Sequence, residues 1–196
     1  MAAHPQPRLT PAQYLELDRA AEFRHEYYQG RMYRMNNPWV ATDNPANHSL
    51  IIANLLSQLR QTLEQNCYRV FDGGARVCAA LDGPDIAVIR GAPEFADGSG
   101  EGKETLHHPL LLVEVLAPST EGHDRGVKAR QYRSIKSLRE YVLVSQTEPS
   151  IEIYRRSGDE WFLTDVAGLE SLVELPSLNC RVPLAEIYAK VEFEAA

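Results

Sequence analysis

The sequence predicts an α/β (or α+β) protein: a mixed central sheet with helices on both faces and extra antiparallel strands towards either end. Three observations carry this expectation. Strand-like and helix-like patterns alternate through the middle of the chain, and both flanks read as short strands. The run Leu110–Leu116 (LLLVEVL) is apolar enough for a strand covered on both faces.

The elements follow in order. Thr10-Pro11 is a helix opening, a hydroxyl cap followed by proline at the first helical position, and the helix should run towards Asp18. Phe23 to Met35 reads as a hairpin with Gln29-Gly30 at its turn. Asn36 to Asn47, rich in Asn and Pro, reads as a loop. Ile51, Ile52, Leu55, Leu56, Leu59 and Leu63 then recur at helical spacing, with Asn54, Ser57, Gln58, Gln61 and Gln65 on the other face. Short strands are expected at Arg69–Phe71, Ala75–Cys78 and Ile86–Ile89, and Pro93 to Lys103 reads as a surface loop.

The apolar strand at Leu110–Leu116 is stopped by Pro118. A helix from Asp124 to about Ile135 and a strand at Tyr141–Ser145 follow. Ile151–Tyr154, Trp161–Val166 and Val173–Leu175 read as an antiparallel meander, closed by a short helix near Leu184–Tyr188.

The bulk numbers narrow the class. A chain of 196 residues, 44% apolar and 24% charged, fits one globular domain spanning residues 1–196. Its 27 acids against 20 bases give a net charge of −7, which argues against a protein that coats nucleic acid non-specifically. A local basic patch is still compatible with that total. Cys67, Cys78 and Cys180 are scattered, with no zinc-ligand spacing, and suit a reducing compartment better than a disulfide framework. Met1 to Thr10 has no signal-peptide pattern, and no apolar run approaches the ~20 residues of a membrane span. The expectation is a soluble, cytoplasmic protein.

Glu114 is the most informative candidate for chemistry, because it interrupts an apolar strand. A carboxylate there is costly unless it is paired or binds a metal; the alternative is a strand-end acid meeting solvent or an arginine. Asp85 opens the next strand upstream, after Gly83-Pro84, where it could face a site or serve as a turn residue. Lys128 belongs to the basic stretch Arg125, Lys128, Arg130, Arg133, Lys136 and Arg139, which reads as a phosphate-binding face or as a solvated one. Glu26 could add a carboxylate, and His48 could meet a phosphate or a water near the start of the long helix. Asp85 and Glu114 on neighbouring strands could share one hard cation, since Mg²⁺ is held by one or two carboxylates plus waters and substrate oxygens. No phosphate-cradling Gly-rich loop is present.

These residues sit in a pattern. Pro109 to Tyr141 (PLLLVEVLAPSTEGHDRGVKARQYRSIKSLREY) resembles the Uma2 family, within the PD-(D/E)xK nuclease superfamily, in its Glu-Val-Leu-x-Pro-Ser-Thr, Asp-x-x-x-Lys and Ser-Leu-x-Glu-Tyr segments. Pro84-Asp85 followed by IAVI is similar to the family's Pro-Asp strand. Tyr14-Leu15, Arg24 to Gly30 and His48 resemble its N-terminal region, and Trp161 with Val182 to Tyr188 its tail. The chain departs from the family at Gln29, where an acid is usual, and in the short CAALDG stretch before Pro84.

The resemblance implies a restriction-endonuclease-like fold and an endonuclease acting on DNA, working as a homodimer. It implies Asp85, Glu114 and the Val115 carbonyl as ligands of Mg²⁺ or Mn²⁺, Lys128 as the residue that orients the water, and Glu26 as an auxiliary acid. Position 116, where the superfamily's lysine usually stands, is a leucine. Arg125 and His48 are the candidate substrate contacts. The competing expectation is a catalytically silent DNA-binding or protein-interaction module that keeps the nuclease fold; a hydrolase of small phosphoesters is a third.

Overall fold

The computed structural model describes residues 8–22, 25–28, 30–34, 44–64, 66–73, 76–77, 83–94 and 105–193. Phe23, Arg24, Gln29, Met35, residues 36–43, Ala75, Cys78 and most of the expected loop 93–103 lie outside them.

Helix α1 (Pro11–Ala20) opens on Thr10, whose side chain accepts from the Gln13 N–H while the Gln13 side chain answers the Thr10 N–H. The hairpin follows as strands β1 (His25–Tyr28) and β2 (Arg31–Arg34), paired antiparallel with Tyr28 opposite Arg31. Gly30 in its turn has φ +83°, and a Cβ there would stand 2.6 Å from the Arg8 Cβ, so glycine suits the position on both counts.

Helix α2 (Pro45–Leu63) starts earlier than the sequence reading placed it. Pro45 to Asn47 belong to the helix and not to a loop, because the Asn44 side chain caps the Asn47 N–H at 3.1 Å and Pro45 fills the first turn, where a missing N–H costs nothing.

The central sheet has six strands in the order β10-β9-β8-β7-β5-β3. They are β3 (Tyr68–Asp72), β5 (Ile86–Arg90), β7 (Pro109–Leu116), β8 (Glu140–Ser145), β9 (Ser150–Ser157) and β10 (Glu160–Ala167). β7 and β8 run parallel, and every other pair in this sheet is antiparallel, so the sheet is mixed. The parallel pair needs a helical crossover. That crossover is α3 (Glu121–His123), a π-helical turn at Asp124–Lys128, and α4 (Ala129–Arg133). The helix therefore ends before Ile135.

Alternation along the strands divides the core in two. Ile86, Val88, Val113, Val115, Val142, Val144, Ile151 and Ile153 face the apolar stripe Ile51, Leu55, Leu59 and Leu63 of α2. Ala87, Leu112, Leu116, Tyr141 and Leu143 face Ala129, Tyr132, Ile135 and Leu138. Glu114 shares its parity with Leu112 and Leu116, and its side chain emerges beneath the crossover.

Two small pairs were not anticipated. β4 (Arg76–Val77) pairs parallel with β6 (Thr105–Leu106), and β11 (Leu172–Leu175) pairs with β12 (Cys180–Pro183), which leads into α5 (Leu184–Ile187). The expected C-terminal meander thus stops at β10, and β11 belongs to a separate ribbon. Cys67 and Cys180 are free thiols. Among the described residues no helix is long and apolar enough to cross a membrane.

Candidate functional site

Asp85 precedes β5, where the β5–β7 ladder has run out: Ile86 stands opposite Val113, and nothing on β5 pairs with β7 beyond it. The Asp85 carboxylate takes over at this point, accepting the Val115 N–H at 2.7 Å. His48, in the first turns of α2, brings its Nε2 to 3.5 Å from the same carboxylate oxygen. The side chain remains 22% exposed, so it is anchored at one oxygen and still reachable by solvent.

Glu114 lies one residue before that N–H and is buried. Its Oε1 accepts from the Tyr132 hydroxyl at 3.1 Å and meets the Lys128 Nζ at 3.1 Å. The Lys128 ammonium also reaches Asp124 Oδ1 at 3.1 Å. Asp124 is held in turn by the Thr120 hydroxyl at 3.0 Å. Burial pushes the Glu114 carboxyl well above the ordinary carboxylate range; Lys128 opposes that shift, while the charges of Asp85 and Asp124 add to it. Burial alone would lower the Lys128 ammonium, but Glu114 and Asp124 outweigh it and hold the group well above its usual value. Lys128 is therefore a fixed positive charge across the physiological range.

The Asp124–Lys128 pair sits in the π-helical turn. The Ala129 N–H reaches back to the Asp124 carbonyl, five residues earlier, and the Tyr141 hydroxyl donates to the same carbonyl at 3.1 Å. Asp124 and Lys128 consequently face the sheet together, while Arg125 points away along it. Such widened turns are rare in helices and are often found at functional sites.

Of the sequence candidates, Asp85, Glu114, Lys128 and His48 converge at one end of β7. Glu26 lies in β1 opposite Tyr33, and its side chain is outside what the structure describes. Arg125 is engaged elsewhere: its guanidinium meets Glu152 at 2.7 and 3.1 Å and also pairs with Glu121. The basic stretch as a whole does not form one face. Lys128 is turned inward and Arg133 lies over the Tyr154 ring at 5.1 Å, while Arg130, Lys136 and Arg139 are exposed.

Asp124, Tyr132 and Tyr141 are members of the site that reasoning on single residues passed over. The signal for Asp124 was its spacing of four from Lys128; the tyrosines gave none, since buried aromatics beside a strand read as core. Among the described residues no three His, Cys, Asp or Glu side chains stand together as a ready-made metal cage.

Comparison with known proteins places the chain among relatives. Residues 11–185 match Uma2, described as "Putative restriction endonuclease". A Synechocystis sp. protein, sll1609, is 31% identical over 171 residues, 85% of this chain and 92% of that one. A second from the same organism, slr1290, is 28% identical over 202 residues, 98% of this chain and all of the other. A crystal structure from Anabaena variabilis, titled as a "putative nuclease belonging to DUF820", superposes with a TM-score of 0.70 at 18% identity, covering 92% of this chain and 98% of that one. This likeness shows that the fold is shared.

Proposed function

The chain belongs to the Uma2 family, matched over residues 11–185, and from that premise we propose that it is a divalent-metal-dependent nuclease that hydrolyses phosphodiester bonds in DNA. One observation carries the reading. Asp85 and Asp124 both act electrostatically on Glu114, and a single ammonium, that of Lys128, meets Glu114 and Asp124. Ionising all three against one ammonium would leave two negative charges uncompensated; a divalent cation would offset them and draw the Glu114 carboxyl, which burial holds towards its protonated form, into the charged state. A protein does not gather like charges in a poorly solvated place without something to balance them.

The donor set suits a hard cation. Asp85 and Glu114 supply carboxylate oxygens, and the carbonyl of Val115, the residue after Glu114, is the third oxygen of this reading. This is sparse for Ca²⁺ and adequate for Mg²⁺, which keeps several waters of its own. When bound, the ion polarises a phosphodiester oxygen and lowers the pKa of a bound water.

The chain's own residues do the rest. The Val115 N–H fixes Asp85, so one carboxylate is preorganised before any ligand arrives. Tyr132 and Lys128 fix Glu114 in the same way. Lys128, held protonated, cannot serve as a base; it orients the attacking water and offsets charge developing on the phosphate. Water attacks phosphorus in line as the bond to the leaving ester oxygen breaks; the water gives a proton to solvent and the leaving oxygen takes one from solvent. His48 stands on the exposed side of Asp85, where an imidazole can meet a phosphate oxygen or a water. Glu26 is the auxiliary acid of this reading. Arg125, committed to Glu121 and Glu152, has no part in the chemistry.

The test is cleavage of supercoiled plasmid by the purified chain with Mg²⁺ or Mn²⁺, and with EDTA. Nicking should require the metal. Asp85→Asn and Glu114→Gln should each lower it by at least about a hundredfold while leaving the fold intact. Plasmid cutting by the Glu114→Gln protein at the wild-type rate would refute the assignment. A binding module would instead hold DNA and leave it uncut.

A further inference from the structure

Strand β10 is an edge of the central sheet, eight residues long and paired on one side only, with β9. The two strands run in unbroken register into a two-residue turn at Gly158-Asp159, where Gly158 has φ +62°. Such a turn closes on a hydrogen-bonded pair, here Ser157 with Glu160, and inward and outward backbone groups alternate from there. The N–H and C=O groups of Trp161, Leu163 and Asp165 therefore point away from β9. The next outward carbonyl, that of Ala167, is already taken by the Ser171 hydroxyl at 2.6 Å.

Proteins normally blunt an exposed edge with lysine, proline or a bulge. β10 (EWFLTDVA) has none of the three. It is also apolar. Among the described residues six large apolar side chains are exposed, and four of them, Phe162, Leu163, Leu169 and Leu172, lie on β10 or just after it. Phe162 and Leu163 are each about half exposed, at 52% and 49%. An unblunted edge of this kind is a surface for another strand, because a strand is what answers a row of alternating donors and acceptors.

The sequence of β10 selects a second copy of itself. Two identical strands pair antiparallel about a twofold axis when one residue faces its own copy. With Leu163 at the axis, Trp161 faces Asp165 of the second copy. The residues that then exchange hydrogen bonds, about six in all, are the three whose outward groups are free. The charges fit as well. Trp161 stands opposite Arg156 on β9, whose guanidinium lies over its ring at 4.6 Å, so Asp165 of one copy comes up to an arginine–tryptophan pair of the other. Centring the pair on Thr164 would call on the occupied Ala167 carbonyl, and centring it on Asp165 would set two carboxylates face to face.

We propose that the chain forms a homodimer through β10, antiparallel about Leu163, which joins two six-stranded sheets into one of twelve strands. This interface is independent of the nuclease reading and survives its loss.

Light scattering behind size exclusion reads the mass from about 1 to about 100 μM. The wild-type chain should approach twice its 22.0 kDa at the upper end. Leu163→Lys, which places a guarding charge on an exposed position, should weaken association at least about tenfold with the circular dichroism unchanged. Phe162→Ser should act in the same direction if the lysine disturbs the strand. Cross-linking then reads the register. With the exposed Cys67 changed to serine, Leu163→Cys should form an inter-chain disulfide under copper–phenanthroline, since facing residues of a hydrogen-bonded pair stand ~5.5 Å apart. Thr164→Cys, out of step with its own copy in this register, should not. A monomer across the whole range, as expected of an edge that receives a strand from a different protein, would overturn the proposal. So would an association untouched by both edge substitutions, or cross-linking at 164 in preference to 163.

Discussion

Replacing Lys128 by methionine tests the charge balance directly. Methionine nearly matches the lysine stem in volume, so the substitution removes an ammonium without opening a cavity. It leaves Glu114 and Asp124, each formerly 3.1 Å from Nζ, buried beside one another with Asp85 adding a third charge. Breaking a buried ion pair from one side costs about 3–5 kcal/mol, a large part of the 5–15 kcal/mol that folded domains typically have. For a chain of this size that is roughly 10 °C in Tm. The deficit should depend on pH with a definite sign. Glu114 has a folded pKa above its unfolded value, so the penalty of burying its charge is present above the folded pKa and disappears as pH falls through it towards 4.5. Urea denaturation of Lys128→Met should therefore show a large loss at pH 8 and a smaller one at pH 5. The double variant Lys128→Met/Glu114→Gln should recover at least about half of the pH 8 loss, because it removes one of the stranded charges. A Lys128→Met protein as stable as wild type at pH 8 would refute the idea that this ammonium balances the acids.

Two further substitutions probe the frame around the site. Tyr132→Phe deletes one hydroxyl that donates to Glu114 and nothing else of the ring, so urea titration should show a loss of about 1–2 kcal/mol with the m-value unchanged. Arg156 donates to the carbonyls of Leu138, Arg133 and Ile135 at 2.9, 2.6 and 2.9 Å and lies 4.6 Å over the Trp161 ring. Lysine keeps the charge but not the flat fork that reaches several carbonyls at once. Arg156→Lys should cost about 1–3 kcal/mol, read as a drop in Tm and faster amide exchange at the end of α4.

The elements that the sequence revealed are those whose periodicity is imposed by burial. β7 is covered on both faces and so reads as an unbroken apolar run; α2 is covered on one and so reads as a stripe. Strands of two to four residues carry too little pattern to be seen alone. β6 exists because β4 lies beside it, and β12 turns β11 away from the main sheet into a ribbon of its own. The start of α2 was legible in principle, since Asn44-Pro45 is a cap followed by a first-turn proline. It was masked because the same residue types also signal loops, and here they ended one.

The site was legible for a different reason. Glu114 stood out because a carboxylate within LLLVEVL conflicts with everything around it, and conflicts of this kind survive only when the fold resolves them. What the sequence could not convey is how the conflict is resolved. Asp85 comes close to Glu114 only because the β5–β7 register ends at Ile86 and Val113, which leaves the Val115 N–H for a side chain to take. Asp124 joins them through its spacing of four from Lys128, which brings both to the sheet-facing side of the crossover. The register cannot be read from residue types, and it decides that Asp85 stands as a third acid beside the two that Lys128 meets. Had Arg125 pointed inward as well, the charges would have balanced more nearly and the cluster would read as a structural ion-pair network. Its commitment to Glu121 and Glu152 is what leaves the site short of positive charge, and that shortage is the physical case for a metal.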